Sequence, residues 1–260
     1  MESSSDVACI LNTGVGRGHK GSIRYRRWWV SQSGPAVFKV AVGEGDAVTV
    51  KVDLPARHRA DAPLLILAHG ANNNLDHPLL AALASYLPAQ ADTAVVRFNF
   101  PYAERKASTV DPAPILENAF RCVHDHIRNE VAGPQAPLFL GGKSLGGRLA
   151  AELVSRGDEG GGLLAVGLVV LGYPLHRPGQ KDRPNLEPLR RIGIPSLFCV
   201  GSRDPLCDPE LLSPVLARLQ YPGRLYVVRG GDHSLERQDA PGDFSAAAEE
   251  VARFIRETIS

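Results

Sequence analysis

The chain has 260 residues, of which 44% are hydrophobic and 22% charged, and a net charge of +1. That length suits one large α/β domain or two small ones, and the near-balanced charge makes no general case for binding nucleic acid. Four cysteines, Cys9, Cys122, Cys199 and Cys207, match no zinc spacing, and two of them sit in apolar segments. A reduced, cytoplasmic protein without metal or cofactor is the expectation. No run is long and apolar enough to span a membrane, and residues 7–11 are too short for a secretory core.

Residues 1–35 read as an N-terminal extension, weakly ordered or poor in strand. Gly16, Gly18 and Gly21 spell G-x-G-x-x-G, but no helical pattern follows, and a dinucleotide fingerprint needs a strand before it and a helix after. Arg24, Arg26 and Arg27 beside Trp28 and Trp29 suit contact with RNA or a membrane surface; a loose extension is the plainer reading. Residues 36–260 form the second unit. Residues 37–42 and 48–52 are β-rich runs separated by Gly43-Glu44-Gly45-Asp46, a predicted hairpin. Residues 64–68 are a continuous apolar strand that ends at His69-Gly70-Ala71-Asn72-Asn73-Asn74. Asp76 is placed to cap the next helix, with Pro78 in its first turn. A strand over 93–98 leads to Asn99-Phe100-Pro101-Tyr102. Leu116, Phe120, Val123 and Ile127 form one stripe of a helix over 111–132. His124 and His126 on that helix cannot face the same way, so a solvated face is expected in place of a metal pair.

The stretch 138–148 contains Gly142-Lys143-Ser144-Leu145-Gly146, a G-x-S-x-G pattern. It predicts a nucleophile elbow, in which a strand turns sharply into a helix and presents a serine at the helix N-terminus. The rival phosphate-binding loop fails because Pro137 stands where that motif needs glycine. Leu145, Leu149 and Leu153 mark one helical face. Further strands are predicted over 163–171, 196–200 and 225–228, with helices over 211–219 and around Phe244–Phe254. Residues 173–193, with Pro174, Pro178, Pro184 and Pro188, are too short and proline-rich for a lid domain. Alternating strands and helices imply a mostly parallel sheet covered on both faces.

In such sheets the site lies beyond the carboxyl ends of the strands. Ser144, Asp204 and His233 each follow a strand, in the chain order expected of an α/β-hydrolase. His233 is the candidate base for Ser144, and Asp204 the residue that orients its ring. Asp208, the alternative acid, reads as a helix cap beside Pro209. Asp232 reads as a turn former and His69 as structural. The backbone N–H groups of Ala71 and Leu145 are the candidate oxyanion hole. Asn72, Tyr102 and Tyr173 are candidate substrate contacts.

Ala68-His69-Gly70-Ala71 with Asp76-His77-Pro78, Arg97 to Tyr102, Gly141 to Arg148, Gly201 to Pro205 and Gly231 to Ser234 together resemble one α/β-hydrolase family. It is the family of predicted hydrolases related to subunit 3 of the non-specific-lethal chromatin complex and to a small testis-expressed homologue. Dienelactone hydrolases are similar at greater distance, although they use cysteine where Ser144 stands. The resemblance covers roughly residue 36 to the end. It implies Ser144, Asp204 and His233 as a triad, with the 99–102 loop bordering the site. It also implies a poorly defined substrate range, and chromatin-complex members that look more like scaffolds than enzymes.

Three functions follow as expectations. The first is a lidless serine hydrolase that cleaves esters of small or varied acyl groups through an acyl-enzyme. The second is a binding or scaffold protein on the same fold, and the third is nucleic-acid or membrane contact through residues 24–29. The first is preferred, with a small-molecule ester as partner, no nucleic acid or membrane partner, and a monomer or homodimer.

Overall fold

The computed structural model describes residues 34–157 and 160–260. The glycine motif and the basic, tryptophan-bearing segment expected in the extension lie outside the described residues. The sheet has eight strands: β1 (Ala36–Ala41), β2 (Ala47–Asp53), β3 (Leu64–Ala68), β4 (Ala94–Phe98), β5 (Leu138–Lys143), β6 (Gly167–Leu171), β7 (Ser196–Gly201) and β8 (Arg224–Val228). They lie in the order β1-β2-β4-β3-β5-β6-β7-β8. β2 pairs antiparallel with both β1 and β4; β3 to β8 are parallel.

The two halves of the sheet follow from their side-chain patterns. In β2, Val48, Val50 and Val52 are fully buried and alternate with Thr49 and Lys51, as a strand with one covered face requires. In β3 every residue is buried, which needs cover on both sides. Leu64, Ile66 and Ala68 point into one core with Leu138 and Leu140, while Leu65, Leu67 and Phe139 point into the other. The first core is closed by α3 (Ala113–His126), α4 (Leu145–Ser155) and α6 (Pro209–Leu216). The second is closed by α1 (Pro78–Gln90) and α7 (Ser245–Ile259). Two single-turn helices, α2 (Pro101–Glu104) and α5 (Glu187–Arg190), sit in the loops after β4 and β6.

Several local expectations are corrected. His77, not Asp76, caps α1: its side chain accepts from the Leu79 N–H at 3.2 Å. Asp76 instead pairs with Lys51 and Arg97. The helix predicted over 111–132 is α-helical only to His126 and then widens to a π-turn, Ile127–Val131. His124 does not lie on a solvated face. It is 7% exposed, and its Nε2–H donates to the Leu164 carbonyl at 3.1 Å. Helical spacing locates a stripe, but it cannot tell that the β6 approach lies over the helix's second face. Between β6 and β7 no helical lid is inserted among the described residues; α5 is the only helix there.

Candidate active site

The elbow begins where β5 meets α4. Ser144 has φ +51° and ψ −114°, a strained conformation for a residue with a side chain. Two glycines make the turn possible. A Cβ on Gly142 would meet the Ala68 carbonyl oxygen at 2.4 Å, and one on Gly146 would meet the same oxygen at 2.4 Å. The elbow therefore packs directly on the end of β3, and only residues without a side chain fit there. Ser144 N–H donates to the Leu171 carbonyl at 2.9 Å, so the turn is also tied to β6.

The structure brings Ser144, His233 and Asp204 into one relay. His233 Nε2 is 2.8 Å from Ser144 Oγ, and His233 Nδ1 is 2.8 Å from Asp204 Oδ2. A carboxylate can only accept, so Nδ1 carries the proton and donates to Asp204. In the neutral ring Nε2 then accepts from the serine hydroxyl. The Asp204 side chain has no exposure, and its second oxygen accepts from Leu206 N–H at 2.8 Å. Both its oxygens are thus committed, which fixes the ring's orientation and tautomer. Asp208 takes the other role weighed for it: it caps α6 by accepting from Glu210 N–H and pairs with Lys181.

His233 is carried by a turn that Asp232 organises. Asp232 Oδ1 accepts from Ser234 N–H at 2.7 Å and Glu236 N–H at 3.0 Å. The turn lies against the sheet end so closely that a Cβ on Gly172 would meet the His233 carbonyl oxygen at 2.3 Å. An open depression of about 410 Å³, lined by Arg203, Asp232, Glu236 and Arg237 among others, lies beside this turn and includes neither Ser144 nor His233.

The loop after β3 holds the second group of predicted residues. Leu145 N–H is in the first turn of α4, where a helix leaves its donors without internal acceptors. Ala71 is exposed on the loop. That loop is clamped from behind by the segment after β4. Phe100 N–H donates to His69 Nε2 at 3.0 Å, and Tyr102 donates its hydroxyl proton to the Gly70 carbonyl at 3.0 Å. Asn72 N–H donates to the Tyr102 oxygen in turn. Asn99 Oδ1 accepts from Leu75 N–H at 2.8 Å, and Arg97 reaches the Leu75 carbonyl, Asp76 and Asp53. His69 is fully buried. Burial pushes its pKa down to about 4, as its accepting Nε2 requires.

Two candidate substrate contacts are buried. Tyr102 is 1% exposed and its hydroxyl is engaged in both directions, so it shapes the loop. Burial pushes its phenol up to about 12. Tyr173 has no exposure and packs edge-on against Phe198. Asn72 is exposed, with φ +56°. Cys122, Cys199 and Cys207 are buried. Among the described residues no three His, Cys, Asp or Glu side chains converge as a metal ion would need. Sequence reasoning missed the role of the 97–102 segment as a clamp. Its signal was present in Arg97, Asn99 and Tyr102, polar residues at a buried strand end.

Comparison with known structures gives the same architecture. Est1E from Butyrivibrio proteoclasticus superposes with a TM-score of 0.68 at 13% identity, over 86% of this chain and 98% of that one. Dienelactone hydrolase from Anabaena variabilis gives 0.66 at 19% identity, over 86% and 98%. An α/β serine hydrolase without lid from Xanthomonas campestris gives 0.59 at 19% identity, over 88% and 95%. At these identities the likeness is one of fold. The family model described as an alpha/beta hydrolase domain matches residues 61–260, and the chain belongs to that family.

Proposed function

We propose that this protein is a serine hydrolase that cleaves carboxylic esters with small or varied acyl groups. The observation that carries the reading is the Ser144–His233–Asp204 relay, with both links at 2.8 Å and the acid buried. His233 Nε2 takes the Ser144 proton as Oγ attacks the ester carbonyl carbon. The oxyanion is received by Leu145 N–H and Ala71 N–H. His233 then passes the proton to the departing alkoxide, which leaves an acyl-serine. Water attacks that acyl group, with His233 first accepting and then returning a proton, and the carboxylic acid departs. Asp204 stabilises the transient imidazolium throughout.

The absence of an inserted helical lid between β6 and β7 supports an open site for compact esters over a lipase. The motifs at 68–78, 97–102 and 141–148 support a kinship, within its family, with the predicted hydrolases related to non-specific-lethal complex subunit 3. Burial of Cys122, Cys199 and Cys207 in the core suits a reduced, cytoplasmic setting. Steady-state turnover of p-nitrophenyl acetate, butyrate and octanoate tests the reading. Turnover that falls at least a thousandfold in Ser144→Ala and in His233→Ala is expected. Turnover retained by a folded Ser144→Ala variant contradicts it and favours the scaffold alternative.

A further inference from the structure

Glu104 ends the single turn α2, and the chemistry above leaves it without a role. Its side chain is 15% exposed. Three donors converge on it, from β1, from β2 and from the end of β4. Thr49 N–H and an Asn99 Nδ2–H both reach Oε1 at 2.8 Å, and the Lys39 ammonium pairs with Oε2. Burial raises its pKa, but the hydrogen bonds from Lys39, Thr49 and Asn99 outweigh burial and hold it down to about 2. Glu104 is therefore a carboxylate near neutral pH and can only accept.

That charge fixes the amide of Asn99. Its NH2 must face Glu104, so its Oδ1 points the other way, where it accepts from Leu75 N–H at 2.8 Å. A flipped amide would set an NH2 against the Leu75 N–H, donor against donor. The Asn99 N–H donates to the Thr49 carbonyl at 3.0 Å, which ties its backbone to β2 as well. Leu75 stands near the end of the loop that begins at His69, and Tyr102 holds the other end at Gly70. Ala71, the oxyanion donor of the reading above, lies between these two anchors.

We infer that Glu104 is a positioning residue: braced by the β1–β2 hairpin, it orients the Asn99 amide and, through Leu75, sets the loop that presents Ala71 N–H to the oxyanion. The inference rests on the hydrolase reading above. A donor's position matters most where negative charge develops, so the brace acts on the transition state and little on the bound ester.

The test uses the full chain as wild type, Glu104→Gln, Asn99→Ala and the double variant. Glutamine keeps the size of Glu104 but has one acceptor oxygen, and its NH2 meets donors. Two quantities are read: kcat and KM for p-nitrophenyl butyrate where each variant is folded, and hydrogen exchange of the Leu75 amide by NMR, taken relative to Ile66 in β3. Glu104→Gln should lower kcat at least about tenfold with KM within about twofold. Its Leu75 amide should exchange at least about tenfold faster while Ile66 keeps pace with wild type. Asn99→Ala should do both, and the double variant should be no worse than Asn99→Ala, as residues acting in series are. A role in stability alone would speed both amides and leave kcat in place. Wild-type kcat in folded Glu104→Gln, or losses that multiply in the double variant, overturn the inference. If wild type turns over no ester, the hydrolase reading fails, and exchange still decides the brace: a faster Leu75 amide in Glu104→Gln supports it and the wild-type rate overturns it. Should Glu104→Gln not fold, Asn99→Ala decides: a loss confined to kcat supports the inference and wild-type kcat overturns it.

Discussion

At Ser144 chemistry and stability pull in opposite directions. The backbone at φ +51° and ψ −114° stores on the order of 1–3 kcal/mol, and glycine would release it. Ser144→Gly should raise stability by about 1 kcal/mol in urea unfolding while eliminating ester turnover; a loss of stability would mean the turn is not strained. Gly146→Ala should do the reverse, because its methyl would meet the Ala68 carbonyl oxygen at 2.4 Å. A loss of several kcal/mol, or failure to fold, is expected. That Ser144, Asp204 and His233 would meet was legible, since each stands after a strand of one parallel sheet. Tyr102 was not. Its place after a strand looks like a ligand contact on paper, and only the packing reveals that its hydroxyl closes on Gly70 and Asn72.

Between elements, the informative contact is the clamp from the β4 loop onto the β3 loop. Arg97, Asn99, Phe100 and Tyr102 hold the chain from His69 to Asp76 through the backbone of Gly70 and Leu75 and the side chains of His69 and Asp76. Tyr102→Phe removes one donor–acceptor pair, which should reduce stability by about 1 kcal/mol and lower kcat more than it raises KM. The clamp is also sensitive to acid. His69 is held neutral, with its pKa lowered by burial to about 4, and His77 is lowered to about 4 by burial and by the Lys143 charge. A folded pKa below the unfolded value of 6.5 means that the unfolded state binds more protons between the two. The stabilisation is therefore complete above pH 6.5 and is lost as pH falls toward 4; for His69 it amounts to roughly 3 kcal/mol. Denaturant unfolding across that range should show stability falling with acid, less steeply in His69→Gln. An unchanged slope would show that His69 does not titrate with folding. Asp76 illustrates why caps are hard to read from sequence. Asp76 suits the position by residue type, but Lys51 and Arg97 recruit its carboxylate, and the His77 ring accepts from the Leu79 N–H in its place.

Over the whole molecule, the parallel sheet follows from its continuous apolar strands. The five-residue run at 64–68 has no polar face, and 94–98 is buried throughout although it carries Arg97, so helices must cover both sides. Register and neighbour order were not legible. Nothing local in β4 says that it inserts between β2 and β3, since that order depends on long-range pairing and on which loops reach which strand end. That order nevertheless makes the site, because it sets β3, β5, β6, β7 and β8 side by side and gathers their C-terminal loops around Ser144. The most direct test of the account is fluorophosphonate labelling of the full chain, followed by mass spectrometry of the modified peptide. The account predicts a single adduct on Ser144 that is lost in His233→Ala and strongly slowed in Asp204→Asn. A folded chain that takes no label, or takes it at another residue, would contradict it.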